Sequence, residues 1–138
     1  NSITVTASAF GLENAYDLTT SGLTLTDGTT VTFEAGGNTN GPKYYTSGTA
    51  IRMYPKNTMK ISSSKTIKSV VLNCVEASGT KCVADGKIDA TPGSVAVDNL
   101  TVNVTSINSK ETTITNSNPN TGTVSQLRWS SMVITYAE

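Results

Sequence analysis

Leu23-Thr24-Leu25-Thr26-Asp27-Gly28-Thr29-Thr30-Val31-Thr32-Phe33 alternates apolar and hydroxyl side chains on both sides of an Asp-Gly pair. Period-two alternation places every second side chain on one face of a strand, and Asp-Gly supplies the positive φ that a tight reversal needs. The stretch predicts a β-hairpin with Leu23, Leu25, Val31 and Phe33 on its buried face. Working outward, Ile51-Arg52-Met53-Tyr54 is followed by Pro55-Lys56-Asn57 and then Met59-Lys60-Ile61. Proline presets φ for the second position of a turn, so a second hairpin is expected with Ile51, Met53, Met59 and Ile61 inward. Ile67 to Val75 reads as a strand with Val70, Leu72 and Cys74 on one face. Val95 to Val97, Leu100 to Val104 and Thr112 to Ile114 continue the pattern.

The last segment, Val124 to Tyr136, holds Leu127 and Trp129 in one phase and Met132, Ile134 and Tyr136 in the other. A one-residue slip of this kind marks a β-bulge, here at Ser130-Ser131. Only Gly11 to Leu18 offers a helical turn or two. Strands recurring every ~8–12 residues indicate an all-β fold, expected here as a two-sheet antiparallel β-sandwich. About eight to ten strands suit a jelly roll better than an immunoglobulin sandwich, whose Cys…Trp…Cys spacing is absent.

The chain has 138 residues, the length of a single domain spanning 1–138. Ten Lys plus Arg balance ten Asp plus Glu, so the formal charge is zero. Nucleic acids and anionic membrane surfaces are held by a basic excess, so neither is an expected partner. No apolar run approaches the ~20 residues of a spanning helix, and membrane insertion is not expected. Histidine is absent, which removes Ser-His and Cys-His catalysis and His-ligated metals. Polarity comes instead from 24 Thr, 16 Ser and 12 Asn. Uncharged hydroxyls and amides suit the outer strand faces of a secreted or cell-surface protein. The opening at Asn1 carries no basic or apolar leader, which fits a mature form or an excised module. Cys74 and Cys82 are either a hairpin-bridging disulfide or two half-buried thiols.

Two segments resemble a known group of proteins. One runs from Gly41-Pro42-Lys43-Tyr44-Tyr45 through Ile51-Arg52-Met53-Tyr54 to Lys65-Thr66-Ile67-Lys68-Ser69-Val70; the other is Ser125-Gln126-Leu127-Arg128-Trp129 to Tyr136. Together they are similar to small β-sandwich modules attached to secreted enzymes and surface proteins of gut and rumen bacteria. Those modules are galactose-binding-like and carbohydrate-binding jelly rolls. The resemblance covers about residues 22–136, rests mainly on core and turn positions, and departs at Trp129, where such modules more often carry an aliphatic residue. It implies a non-catalytic module, covalently linked to other domains, that binds a polysaccharide or oligosaccharide.

A pyranose stacks its apolar face on an aromatic ring and offers its hydroxyls to polar groups around the rim. The candidates are Tyr44, Tyr45, Tyr54 and Trp129. Tyr54 shares a face with Arg52, opposite Ile51 and Met53. Of the adjacent Tyr44 and Tyr45, one must face inward and one outward. Trp129 is either a sugar platform or, in phase with Leu127, a core residue. Arg52 and Arg128 are the only arginines. A guanidinium fork can bond two sugar hydroxyls or a uronate carboxylate, though a solvated surface arginine is the commoner case. Asn38, Asn40, Asn118 and Asn120 could bond hydroxyls, and Asp27, Asp85, Asp89 and Asp98 could hold a structural calcium, a frequent ion in the resembled modules. No cofactor is required for binding. The acids sit mostly in turns, no nucleophile has an imidazole, and enzymatic activity is not expected. A plant cell-wall glycan is the favoured ligand; a structural or adhesion domain with no sugar site is the alternative.

Overall fold

The computed structural model describes residues 1–138. The chain is all-β, and its elements in order are β1 (Ser2–Thr6), β2 (Tyr16–Asp17), β3 (Leu23–Thr24), β4 (Thr30–Glu34), β5 (Lys43–Tyr45), β6 (Ala50–Met53) and β7 (Thr58–Cys74). There follow β8 (Glu76–Ala77), β9 (Thr80–Lys81), β10 (Ile88–Thr91), β11 (Ser94–Asp98), β12 (Thr101–Thr105), β13 (Ser109–Asn116) and β14 (Leu127–Tyr136). Short 3-10 turns cover Ala7–Phe10, Ala84–Gly86 and Thr123–Ser125. Every pairing is antiparallel, and all strands except the β8–β9 ribbon belong to one curled sheet.

β7 is the spine of that sheet. Its first half pairs with β4 and β13, from Thr58 to Ser62. Its second half pairs with β12 and β14. The apolar phase changes along the strand: Met59, Ile61 and Ile67 are inward, then Val70, Leu72 and Cys74. The slip falls where the β7–β14 register shifts between Ile67 and Ser69. One hydrophobic cluster of 28 buried residues fills the inside, drawing on both halves of the spine.

The 23–33 hairpin forms as expected, with Leu23 opposite Val31 and all four apolar side chains buried. The β-bulge also forms, because Trp129 and Ser131 on β14 oppose the consecutive Cys74 and Asn73 on β7. That extra residue lets both Trp129 and Met132 point inward.

Two expectations are corrected, and of the two readings of the cysteines the thiols hold. The turn after Tyr54 exists, with Asn57 N–H donating to the Tyr54 carbonyl at 3.0 Å and Lys56 at φ 74. Its flanks are not a hairpin: β6 pairs with β5 and β14, while β7 leaves for β4 and β13. A turn fixes only the chain direction, and the core then chose the partners. The segment from Gly11 to Leu18 is not helical; the 3-10 turn lies earlier, ends at Gly11 with φ 64, and Tyr16–Asp17 joins β5 as a strand. Cys74 and Cys82 are two buried thiols, and burial pushes the Cys74 thiol up to about 12.

The end of β14 is tied to the first hairpin by a polar relay. Tyr136 donates its hydroxyl to Asp27 Oδ2 at 2.6 Å and lies 2.6 Å from Thr29 Oγ1. Burial raises the Asp27 carboxyl, but the hydrogen bonds from Tyr136 and Thr29 outweigh it and hold Asp27 below its ordinary value. Burial, then the bond to Asp27, raises the Tyr136 phenol. The relay therefore contributes fully between about pH 4 and pH 10. Its Asp27 share is lost as pH falls through the depressed carboxyl value, its Tyr136 share as pH rises through the elevated phenol value. Tyr136→Phe should cost about 1–2 kcal/mol at neutral pH, since Asp27 is water-exposed, and should flatten the acid limb of a urea-denaturation pH profile.

Candidate functional site

Strand register sorts the candidate residues into two rows. On the inner side, Tyr44 of β5 lies opposite Ile51 of β6, and Ile51 lies opposite Trp129 of β14. Tyr44 is 4% exposed and Trp129 is 0% exposed, so neither ring can stack on a ligand from solvent. Trp129 is therefore corrected from sugar platform to core residue, as its phase with Leu127 implied. Its indole N–H is buried without an acceptor. On the outer side, Lys43 lies opposite Arg52 and Arg52 lies opposite Arg128.

Tyr45 and Tyr54 join that outer row, both half-buried. The Arg52 guanidinium lies 3.9 Å above the Tyr45 ring centre. This is a diagonal cross-strand contact, since Tyr45 pairs with Ala50, two residues before Arg52. The two phenol oxygens of Tyr45 and Tyr54 are 3.4 Å apart. That hydrogen bond, with burial, raises the Tyr45 phenol. Burial acts upward on Tyr54 too, but the hydrogen bond with Tyr45 and the Arg52 guanidinium nearby outweigh it and leave Tyr54 below its usual value. Arg128 is held by its Nε donating to Gln126 Oε1 at 2.9 Å. Burial first and the Arg52 charge second draw the Arg128 guanidinium below its ordinary value.

Two hollows meet at this cluster. The first, about 360 Å³, is lined by Tyr45, Ala50, Arg52, Arg128 and the β8–β9 ribbon, including Glu76. The second, about 530 Å³, is a trough between the loops Gly37–Asn40 and Asn118–Gly122, with Tyr54 as its aromatic wall. Tyr54 and Gln126 line the trough while bonding to Tyr45 and Arg128 of the first hollow, so the two share a partition.

The trough loops are built by asparagine. Asn57 is buried, donates to the carbonyls of Ala35 and Asn40 at 2.9 Å each, and accepts from Tyr54 N–H at 2.8 Å. Asn116 donates to the carbonyls of Met53 and Ser125 and accepts from Asn118 N–H. Asn118, expected as a hydroxyl ligand, is instead buried, donates to the Ala84 carbonyl and accepts from Asn120 N–H. Asn38 is likewise engaged, donating to the Pro55 carbonyl and accepting from Asn40 N–H. Asn40 and Asn120 are exposed, with side chains that bond to no other group of the chain. Gly36 is required where the loop crosses the next turn, since a Cβ there would sit 1.9 Å from the Lys56 carbonyl oxygen at φ +66.

The four aspartates do not converge, and no three acidic or cysteine side chains gather closely enough to hold a metal ion. Asp27 serves the Tyr136 relay, Asp85 pairs with Lys87, and Asp89 accepts from Ser117 Oγ at 2.5 Å. Lys43 and Gln126 escaped sequence reasoning. Lys43 becomes a neighbour of Arg52 only through strand register, and Gln126 reaches Arg128 only because the chain is extended there. No helix is long and apolar enough to cross a membrane. No known protein family matches the chain, and neither does any curated protein.

Proposed function

We propose that the curled sheet is a two-sheet β-sandwich of jelly-roll type and that the chain is a non-catalytic carbohydrate-binding module. In this reading it belongs to a secreted or cell-surface protein, is joined to other domains, and brings them to a polysaccharide. The observation that carries it is the trough: a hollow of about 530 Å³ walled by one aromatic ring, Tyr54, and by loops of Asn, Thr, Gly and Pro. A sugar offers an apolar face to the ring and hydroxyls to the exposed amides of Asn40 and Asn120. Tyr45, Arg52 and Arg128 adjoin it as further hydrogen-bonding groups. Neither a metal nor another cofactor takes part, so EDTA should leave binding unchanged.

Affinity gel electrophoresis against soluble β-glucan, xylan, mannan and pectin tests this. At least one polysaccharide should retard the chain, and Tyr54→Ala should weaken that retention roughly tenfold through loss of the stacking surface. Far-UV circular dichroism should not change. Absence of retardation by every polysaccharide would favour an adhesion or spacer domain instead.

A further inference from the structure

Resting on the carbohydrate-binding reading, we infer that the Lys43–Arg52–Arg128 row selects an acidic polysaccharide, Arg52 and Arg128 seating its anionic groups, uronate carboxylates foremost, in the hollow beside Tyr45. Three cations stand directly opposite one another on the adjacent strands β5, β6 and β14. Like charges in that position oppose sheet formation. Asp17 stands opposite Lys43 at the outer end of the row, but no acid is paired with either arginine: the ion pairs are Lys60–Glu111 and Lys87–Asp85. Glu76, on the ribbon wall of the hollow, makes no ion pair with either arginine.

Both guanidiniums are also held ready. Arg52 is clamped on the Tyr45 ring and Arg128 is anchored through Nε to Gln126. Fixing a long side chain before the ligand arrives lowers the ordering cost of binding. The Arg52 Nε is shielded from water and so from a ligand, and the half-buried guanidinium meets an anionic oxygen through its terminal nitrogens at the wall of the hollow. A neutral hydroxyl would accept one hydrogen bond and leave the repulsion between Arg52 and Arg128 in place. A carboxylate accepts from a guanidinium fork and cancels the repulsion together.

Affinity gel electrophoresis with polygalacturonate, its fully methyl-esterified form, dextran and dextran sulfate tests the inference. Polygalacturonate should retard the chain, and esterification should abolish the effect. Arg52→Gln and Arg128→Gln should each weaken retention roughly tenfold or more. The melting temperature of Arg128→Gln should hold or rise, since an opposed like charge is gone; a purely structural arginine would lower it. Lys60→Gln, the same charge change away from the row, should bind as the unaltered chain does. Should Arg128→Gln fail to fold, Arg52→Gln, the other arginine lining the hollow, carries the same comparison, and unchanged retention there would overturn the inference.

Stronger retention by dextran sulfate, lost in the same variants, would support the row as an anion site with sulfate as its group. Equal retention by the methyl-esterified galacturonan or by dextran would overturn acidic selection while leaving carbohydrate binding intact. Unchanged retention in Arg128→Gln would do the same. No retention by any of the four, nor by the neutral glycans, would overturn both readings.

Discussion

Trp129→Ala is expected to lower stability by about 3–5 kcal/mol, and the melting temperature by roughly 10–20 °C. The indole is the largest fully buried side chain and stands at the β-bulge where β14 is shared between β6 and β7. Removing it leaves a cavity between Ile51 and Cys74, its register partners on either side. Trp129→Phe should cost much less than Trp129→Ala. The indole N–H has no acceptor, so its removal forfeits no hydrogen bond and relieves a buried unsatisfied donor. Thermal denaturation of the two variants checks both statements. A melting temperature within about 3 °C of the parent for Trp129→Ala would contradict the core placement. The inner row of Tyr44, Ile51 and Trp129 lies behind the outer row of Lys43, Arg52 and Arg128. Loss of glycan retention in Trp129→Ala would therefore report a collapsed support, not a lost ligand contact.

Asn116→Ala is expected to cost about 2–4 kcal/mol, because it strips partners from three backbone groups at once. The carbonyls of Met53 and Ser125 lose their donor and the Asn118 N–H loses its acceptor. Asn116 is 0% exposed, so water does not readily replace those bonds. Asn116→Asp separates the components: the carboxylate still accepts from Asn118 but cannot donate to either carbonyl. It should be at least as unstable as the alanine variant at neutral pH, since it also buries a charge. Because these bonds hold the end of β6 against the Asn118–Gly122 loop, Asn116→Ala should also weaken any ligand held in the trough. Urea denaturation and gel retardation on the same preparation would show both losses together.

Much of the fold was legible along the chain, and the reason is the period of a strand. Leu23, Leu25, Val31 and Phe33 announce a hairpin by alternation alone, and the phase change between Trp129 and Met132 announces the bulge. The site was legible in part. Arg52 and Tyr54, two apart on one strand run, had to share a face, and Tyr44 and Tyr45 had to split between faces. The asparagines were misjudged, although their spacing carried a signal. Asn38 with Asn40, Asn116 with Asn118, and Asn118 with Asn120 each place a side-chain oxygen on the backbone N–H two residues on. That is the Asx turn, a structural use of the amide.

Local periodicity and turn chemistry act over a few residues, so they determine that the chain forms strands, where those strands reverse and which side chains share a face. They do not determine partners. The turn at Tyr54–Asn57 could have closed a hairpin, yet β6 took β14 and β7 took β4 and β13. Core burial makes that choice, because it depends on residues far apart in the chain finding one interior. The same choice set Lys43, Arg52 and Arg128 in one row, turned Tyr45 outward beneath a guanidinium, and shut Trp129 away from solvent. Those placements come from pairing register across three strands, a property that no single stretch of sequence contains.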